Sequence, residues 1–332
     1  CALPICGRWS RARLPRRRAD RRPIEALETR TLLAANMVKD IQSGTDGSYP
    51  YSLVNVNDTL FFAANDGSTG VELWKTDGTS AGTALVRDIR SGDAGSSPRG
   101  LTNVNGTLFF YANDGLNGFE LWKSDGTSAG TELVRDISSG TASSYGFEPI
   151  NVNGTLYFEA NDGINGYELW KSDGTSDRTI MVRDIRSGTA SSSPWYLADV
   201  NGTLYFEADN GTAGRELWKS DGTSDGTVLV RDLRSGTANA YLRNLTNVNG
   251  TLFFSAYVDT LGNELWKSDG TSEGTVLVRD LSSTTFGSQP WSLTNVNGTL
   301  FFTANDGSTG KELWKTDGTS AGTMLEIGRA HV

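Results

Sequence analysis

The segment Glu120-Leu121-Trp122-Lys123-Ser124-Asp125-Gly126-Thr127 decides the fold, because the chain repeats it at a constant interval. Its tryptophan has counterparts at a spacing of 48 residues, and the six positions are Trp74, Trp122, Trp170, Trp218, Trp266 and Trp314. A fixed period of this length marks solenoids, propellers or arrays, in which one supersecondary unit is copied. Most of the chain is therefore predicted to be one structural unit in repeated copies.

The second copy, residues 101–137, predicts four β-strands. Short apolar and β-branched runs alternate there with clusters of Gly, Asn, Asp and Ser, which is a strand-and-turn pattern. Asn105-Gly106 predicts a two-residue hairpin turn, since both residues tolerate a positive φ. The strand predicted at 107–112 is apolar on both faces, as expected for a propeller blade packed between two neighbours.

We therefore predict an all-β protein, a β-propeller of six four-stranded blades of 48 residues, over residues 37–325. Residues 37–41 have the sequence of a lone fourth strand, because Val38-Lys39-Asp40-Ile41 precedes Val86-Arg87-Asp88-Ile89 by 48 residues. The sixth copy lacks this piece after Leu325. The N-terminal strand is accordingly predicted to close the last blade.

The charge separates an N-terminal segment from the repeats. Residues 1–36 hold nine Arg and three acidic residues, a net charge of +6. The whole chain carries −9, so the remaining residues carry −15. An acidic body repels phosphate, so no nucleic-acid partner is predicted for the repeats. We interpret 1–36 as an Arg-rich sorting or disordered segment and 326–332 as a non-native tail.

All six copies keep Glu, Leu-Trp and Asp-Gly-Thr at equivalent positions. Over residues 37–325 the chain resembles the ELWxxDGT repeat family, which implies a propeller-like bacterial surface protein. Leu27-Glu28-Thr29-Arg30-Thr31-Leu32-Leu33 resembles the LEPR-XLL motif near the N-termini of large bacterial surface proteins, with Thr29 in place of its proline. The two resemblances imply that the protein is secreted or located at a bacterial cell surface. No apolar run reaches the roughly 18 residues of a membrane-spanning helix.

A site that binds one ligand once must break the repeat, and the clearest break is the residue that enters the first strand of each copy. Propeller geometry places this strand beside the axis, so these residues are predicted to ring the mouth of a channel. They are Tyr51, Arg99, Phe147, Trp195, Arg243 and Trp291. Aromatic and guanidinium groups there would stack on a peptide or a sugar. The alternative, packing between blades, is favoured by the prolines that precede several of them.

Glu159 and Glu207 form a second break, at one position in adjacent copies. A carboxylate pair near an opening would bind a cation or act in acid–base chemistry. The alternative is that both are solvated surface acids, which is the common case.

No cofactor is predicted, although calcium remains an alternative. The turn at Asn65-Asp66-Gly67 offers oxygen ligands of the kind that calcium prefers. However, the position of Asp66 becomes Asn210 and Val258 in later copies. The pattern therefore favours a structural turn.

Histidine- and cysteine-based catalysis is excluded within the repeats, because both cysteines lie in 1–36 and His331 lies in the tail. We predict a protein that is not an enzyme, namely a secreted or cell-surface interaction or adhesion module. Its partner would be an unknown protein or glycan at the channel mouth. Two alternatives remain, a lectin-like carbohydrate-binding propeller and a polysaccharide hydrolase or lyase that uses Glu159 and Glu207.

Overall fold

The computed structural model of the protein describes residues 36–144, 146 and 149–326. The chain divides into two compact units, Cys1–Met37 and Val38–Val332, and every described strand belongs to the second unit. Both cysteines, the segment that resembles LEPR-XLL and the tail beyond Glu326 lie outside the described residues. No helix in the described part of the chain has the length and apolar character needed to cross a membrane.

In the described residues, twenty-four strands form six sheets, each with four antiparallel strands in chain order. We call these sheets blades 1 to 6. Blades 1 and 2 contain β1 (Tyr51–Val56), β2 (Thr59–Asn65), β3 (Val71–Thr76), β4 (Ala84–Arg87), β5 (Arg99–Val104), β6 (Thr107–Asn113), β7 (Phe119–Ser124) and β8 (Glu132–Arg135). Blades 3 and 4 contain β9 (Ile150–Val152), β10 (Thr155–Asn161), β11 (Tyr167–Ser172), β12 (Ile180–Arg183), β13 (Trp195–Val200), β14 (Thr203–Asp209), β15 (Arg215–Ser220) and β16 (Val228–Arg231). Blades 5 and 6 contain β17 (Arg243–Val248), β18 (Thr251–Val258), β19 (Gly262–Ser268), β20 (Val276–Arg279), β21 (Trp291–Val296), β22 (Thr299–Asn305), β23 (Lys311–Thr316) and β24 (Met324–Leu325).

The predicted all-β fold of six four-stranded units is confirmed, and the arrangement is propeller-like. The first strands of successive blades contact one another along the array. The Asn-Gly hairpin is also confirmed, since Asn105 and Gly106 have φ values of 49° and 86°. Both positive values are those that a two-residue hairpin turn requires.

Neighbouring blades pack through two apolar faces, which explains why the second strand is apolar on both sides. The forward face of a blade packs on the next blade along the chain, and in blade 1 it contains Val56, Phe61 and Leu73. The rear face packs on the preceding blade, and in blade 2 it contains Leu108, Phe110 and Trp122. The same two faces meet at all five boundaries between described blades. The repeated tryptophans are thus core residues of the rear faces.

Hydrogen bonds that recur with the repeat also join one blade to the next. Lys75 donates from Nζ to the carbonyl oxygen of Gly126 at 2.8 Å. Arg135 donates from Nη1 to the carbonyl oxygen of Thr179 at 2.7 Å. These bonds fix the register between blades, because their partners lie at a constant separation in the sequence.

The glutamate of the Glu-Leu-Trp segment holds the connection that leaves its blade. The carboxylate of Glu120 is buried and accepts hydrogen bonds from the amides of Ile137 at 3.0 Å and Ser144 at 3.1 Å, and from the Ser144 hydroxyl at 2.6 Å. Burial raises the pKa of Glu120 to about 7, although the bonds from Ser144 and Ile137 oppose this rise. Glu72, Glu168 and Glu264 are buried and accept the corresponding serine bonds.

The prediction that the N-terminal strand closes the last blade is wrong, because the described sheets do not close into a ring. The segment Val38–Ile41 lies on the rear face of blade 1. Lys39 donates from Nζ to the carbonyl oxygen of Thr83 at 2.7 Å, as Arg135 does to Thr179. Ile41 packs on Phe62, Ala64 and Trp74. The segment therefore occupies the place that a preceding blade's fourth strand would take, since its side chains match that surface.

Replacing Glu120 by alanine is expected to lower the free energy of unfolding by about 3 kcal/mol. The change leaves the amides of Ile137 and Ser144 buried without their acceptor, and each such donor costs about 1–3 kcal/mol. The shift in the midpoint of urea unfolding measures this loss. Glu312→Ala is the matched control, because Glu312 stands in the same motif but is exposed, and it should leave the midpoint unchanged. Equal shifts for both variants would contradict the role of Glu120 in holding the connection that leaves blade 2.

Candidate functional site

Among the described residues, the first strand of every blade except blade 3 carries a β-bulge near its start. In β13 the register with β14 shifts between Trp195 and Ala198, and in β17 the register with β18 shifts between Arg243 and Thr246. Tyr196 and Asn244, the second residues of these strands, both have φ at 56°. A bulge re-aims side chains, and a bulky residue at positive φ is unusual. The first strands of blades 4 and 5 thus present copy-specific side chains on a distorted backbone.

These strands border an open cleft of about 370 Å³. We call it the inner-strand cleft, and its lining residues come from blades 4, 5 and 6. They are Tyr196, Leu197, Arg243, Asn244, Leu245 and Trp291. The cleft breaks the repeat at one position in particular, since Tyr196 and Asn244 correspond to Ser52 and Gly100 in blades 1 and 2.

Arg243 is positioned by three neighbours at the cleft. Its guanidinium carbon lies 4.7 Å from the centre of the Tyr196 ring. Nη1 donates to the carbonyl oxygen of Leu242 at 2.7 Å and lies 4.0 Å from Oε2 of Glu207. A guanidinium has five N–H donors in a fixed fork, so most of them remain available for an acceptor on a ligand.

Two further cleft residues complete the surface. The Nδ2 atom of Asn244 is enclosed and has no hydrogen-bond partner among the described residues. Trp291 is 52% exposed, unlike the tryptophans of the repeat. The cleft therefore combines polar donors with an accessible aromatic face.

Glu207 is a close neighbour of the cleft residue Arg243. It is buried, at 1% exposure, and its Oε1 accepts the amide hydrogen of Leu242 at 3.0 Å. Its Oε2 lies 4.0 Å from Nη1 of both Arg215 and Arg243. Burial raises the pKa of the Glu207 carboxyl, although the Leu242 amide and the two arginines oppose that rise.

The six predicted channel-mouth residues do not form one continuous site. Arg243 and Trp291 line the inner-strand cleft. Trp195 is half-buried with the Arg215 guanidinium 3.9 Å from its ring centre, which is the packing role that the sequence left as an alternative. Arg99 stacks on Phe119 at 4.2 Å. Tyr51 lies on the exposed first strand of blade 1, and Phe147 lies outside the described residues.

The interpretation of Glu159 and Glu207 as solvated surface acids is wrong, because both side chains are buried in second strands. Glu159 lies in β10, where its backbone oxygen accepts hydrogen bonds from Gly146 and from the Tyr111 hydroxyl. Glu207 lies in β14 and faces two arginines. The two glutamates occupy equivalent positions in the repeat. They therefore have equivalent pairing partners, Leu169 and Leu217, but lie in different sheets.

The turn that offered oxygen ligands for calcium uses them internally. Oδ1 of Asp66 accepts hydrogen bonds from the amides of Ser68 and Thr69, both at 2.8 Å. Burial opposes the change, but these amides and the two hydroxyls lower the pKa of Asp66. Within the described ranges, no group of three or more His, Cys, Asp or Glu side chains could hold a metal ion.

Blade 4 has a further break in the repeat that the sequence analysis missed. Glu216 is buried, but the serine that binds its counterparts is replaced by Ala240. Its Oε1 consequently has no partner in the part of the chain that the structure describes. Burial raises the pKa of Glu216 to about 8, and the nearby Asp232 and Glu207 add to that rise.

Tyr196 and Asn244 were also missed, because the prediction considered the residue that enters each first strand and not the one after it. The signal was present, since the six copies carry Ser, Gly, Glu, Tyr, Asn and Ser at this position. Only the bulge makes this variation matter, by placing the second residue beside the first at the cleft.

Three solved structures with a related arrangement of strands are hydrolytic enzymes. A prolyl endopeptidase matches with 12% identity and a TM-score of 0.49, over 84% of this chain and 42% of its own. A puromycin hydrolase matches with 13% identity and a TM-score of 0.45, over 89% and 49%. A puromycin-hydrolyzing peptidase of Mycobacterium tuberculosis matches with 11% identity and a TM-score of 0.47, over 85% and 44%. The chain spans less than half the length of these structures.

Neither the protein-family models nor the curated proteins provide a match to this sequence. The predicted function as a non-enzymatic interaction or adhesion module is corrected by the structural neighbours, which are peptidases. The repeat motif had suggested that function, but a motif made of core and turn residues describes a scaffold. At 11–13% identity and with TM-scores below 0.5, these structures assign no activity and no catalytic residue to this chain. The statement that the chain is not an enzyme stays a prediction.

Replacing Ala240 by serine is expected to stabilise the protein by about 1 kcal/mol at pH 8, because the hydroxyl supplies the donor that Glu216 lacks. A carboxyl with a raised pKa in the folded state binds more protons than in the unfolded state. Stability therefore falls as the pH rises from about 4.5 to about 8. The added donor lowers this pKa and should reduce that fall.

Urea unfolding at pH 5 and pH 9 measures the effect of Ala240→Ser. Ser192→Ala is the matched control, because it creates the same break beside Glu168 in blade 3. This control should make stability fall more steeply with pH. If Ala240→Ser left the difference between the two pH values unchanged, the assigned origin of the Glu216 shift would be wrong.

Proposed function

We propose that the inner-strand cleft binds a peptide carboxylate, with the carboxylate on Arg243 and the adjacent apolar or aromatic side chain on Trp291. The observation that carries the proposal is the position of Arg243 and the exposed Trp291 around one opening. Arg–carboxylate pairs form two parallel hydrogen bonds and are among the strong polar contacts in proteins. An exposed indole offers a large contact area for a flat or apolar group.

The donors at the cleft favour an acceptor-rich ligand. Arg243 donates hydrogen bonds and its guanidinium cannot accept them, and the amide nitrogen of Asn244 is a further donor that lacks a partner among the described residues. The nearest carboxylate, that of Glu207, is enclosed and already faces the Leu242 amide and two arginines. A carboxylate, which accepts hydrogen bonds and donates none, matches this set of donors.

Glu207 and Arg215 would position Arg243 for this role. Glu207 lies 4.0 Å from each guanidinium, so its charge holds Arg243 near the cleft while the Leu242 carbonyl orients Nη1. Arg215 is stacked on Trp195, which keeps it away from the opening. The cleft itself, and not the likeness to peptidases, supports the proposal.

A matched pair of peptides tests the proposal directly. The tripeptide Ala-Ala-Phe with a free carboxylate should bind more tightly than its C-terminal amide, because the amide removes the charge that pairs with Arg243. Charged hydrogen bonds contribute about 1.5–3 kcal/mol, so Arg243→Gln should weaken binding of the free acid by about 10-fold or more. Calorimetric titration or quenching of tryptophan fluorescence measures both affinities.

Trp291→Ala should weaken binding of both peptides, since it removes the surface that contacts the phenylalanine ring. Tyr51→Ala is the control, because Tyr51 occupies the equivalent strand position in blade 1, is exposed and lies outside the cleft. It should leave both affinities unchanged. Equal binding of the acid and the amide would contradict a carboxylate site, and turnover of either peptide would assign catalysis to the chain.

A further inference from the structure

Between neighbouring blades, the forward face of one packs on the rear face of the next. The forward face of blade 6 and the rear face of blade 1 have no such partner blade among the described residues. In blade 6 the forward face consists of Val296, Phe301 and Leu313, and no described blade packs on it. In blade 1 the rear face includes Phe62 and Trp74 and likewise has no preceding blade among the described residues. Each face has the composition of its buried counterparts.

The forward face of blade 6 leaves apolar side chains in water. Val296 is 47% exposed and Leu313 is 44% exposed, whereas the counterparts of Leu313 are at most 1% exposed. These counterparts are Leu73, Leu121, Leu169, Leu217 and Leu265. Contiguous exposed apolar groups at a sheet face mark a site of association.

The rear face of blade 1 contains an unfilled space of matching shape. In blade 2 the Phe61 ring of the preceding blade approaches Gly126, and a Cβ built there would lie 3.0 Å from its Cζ. At Gly78, the equivalent glycine of blade 1, nothing lies within 4 Å. A groove of about 190 Å³ lies on this face, and its apolar lining includes Leu53, Leu60 and Phe62. It is the space that a forward face fills elsewhere.

A polar contact of the interface is also displaced at the end of the array. The lysines before the Asp-Gly-Thr turn donate to the glycine carbonyl of the next blade, as Lys267 does to Gly318 at 2.8 Å. In blade 6 the corresponding Lys315 instead pairs with Glu326 at 2.6 Å. The carbonyl oxygen of Gly78 is the equivalent acceptor on blade 1.

The segment Val38–Ile41 supplies the remaining part of the interface. It lies on blade 1 as the fourth strand of a preceding blade would, through Lys39 and Ile41. The fourth strand of blade 6, β24, is described at Met324–Leu325. The amide of Glu326 continues this strand by donating to the carbonyl oxygen of Leu313 at 2.8 Å, so a Val38–Ile41 segment from another chain would contribute side-chain packing and not a further strand.

We propose that a second copy of this chain binds head to tail, with its Val38–Ile41 segment and the rear face of its blade 1 on the forward face of blade 6. The second copy is the occupant because it carries the complementary face with the same residues in the same register, and because the described sheets do not close on themselves. The contact joins two different surfaces, so it produces rings or filaments according to its rotation.

Two single substitutions, one on each face, test whether the contact joins the forward face of one copy to the rear face of another. Leu313→Glu blocks the forward face of blade 6, and Leu53→Glu blocks the rear face of blade 1, where Leu53 is 62% exposed. Light scattering during size-exclusion chromatography should show that the unsubstituted chain exceeds the monomer mass as its concentration rises. Each variant alone should remain a monomer. An equimolar mixture should form a dimer and nothing larger, because one intact pair of faces remains.

Leu116→Glu is the control, since Leu116 is exposed but lies on neither face, and it should assemble like the unsubstituted chain. Circular dichroism checks the fold of each variant, and Val296→Glu replaces Leu313→Glu if the latter unfolds. A chain that remains monomeric up to ~1 mM would overturn the proposal. So would a mixture of the two variants that stays monomeric. A monomer that Leu313→Glu destabilises would show that the chain's own faces meet instead.

Discussion

The buried carboxylate of the Glu-Leu-Trp segment is the interaction on which the arrangement of blades depends. In blade 2, Glu120 accepts hydrogen bonds from three amides and one hydroxyl of the segment that leads to blade 3. An ionised or protonated carboxyl is costly to bury unless its partners are provided. The cost is offset where the connection closes over it, so the third strand and the outgoing connection form as one unit. This coupling determines where the next inner strand begins.

Blade 4 is the place where this interaction is incomplete. Ala240 deprives Glu216 of a hydroxyl donor, and Glu207 takes over part of the connection by accepting the Leu242 amide. The residue after Leu242 is Arg243, whose guanidinium lies at the inner-strand cleft. The incomplete set of hydrogen bonds to Glu216 and the inner-strand cleft are therefore close to each other in the structure. The repeat that departs from its consensus at a polar core position thus adjoins the surface at which we propose that a single ligand binds.

The fold was largely predictable, and the site was predictable in part. The 48-residue period, the Asn-Gly turns and the two-sided apolar strands lead directly to four-stranded blades. Arg243 and Trp291, which line the cleft, were among the predicted residues because their position varies where the rest of the repeat is constant. Tyr196 and Asn244 were not found, since their proximity to Arg243 depends on a bulge with positive φ. The burial of Glu207 could not be read from a carboxylate that replaces small or aromatic residues in other copies.

The sequence by itself determined the structure of a single blade. The residues of each hairpin and turn, and the buried glutamate with its hydrogen-bond donors, lie within a few dozen positions of one another. The tertiary structure decided how the blades are arranged and which surfaces they leave unpaired. Val38–Ile41 illustrates the difference, since its sequence identifies it as a fourth strand but not the blade that it contacts. Its side chains suit the rear face of any blade, and their contacts with Thr83 and Trp74 place it on the first. A repeated surface specifies its partner's shape, whereas the choice among identical partners depends on the path of the chain.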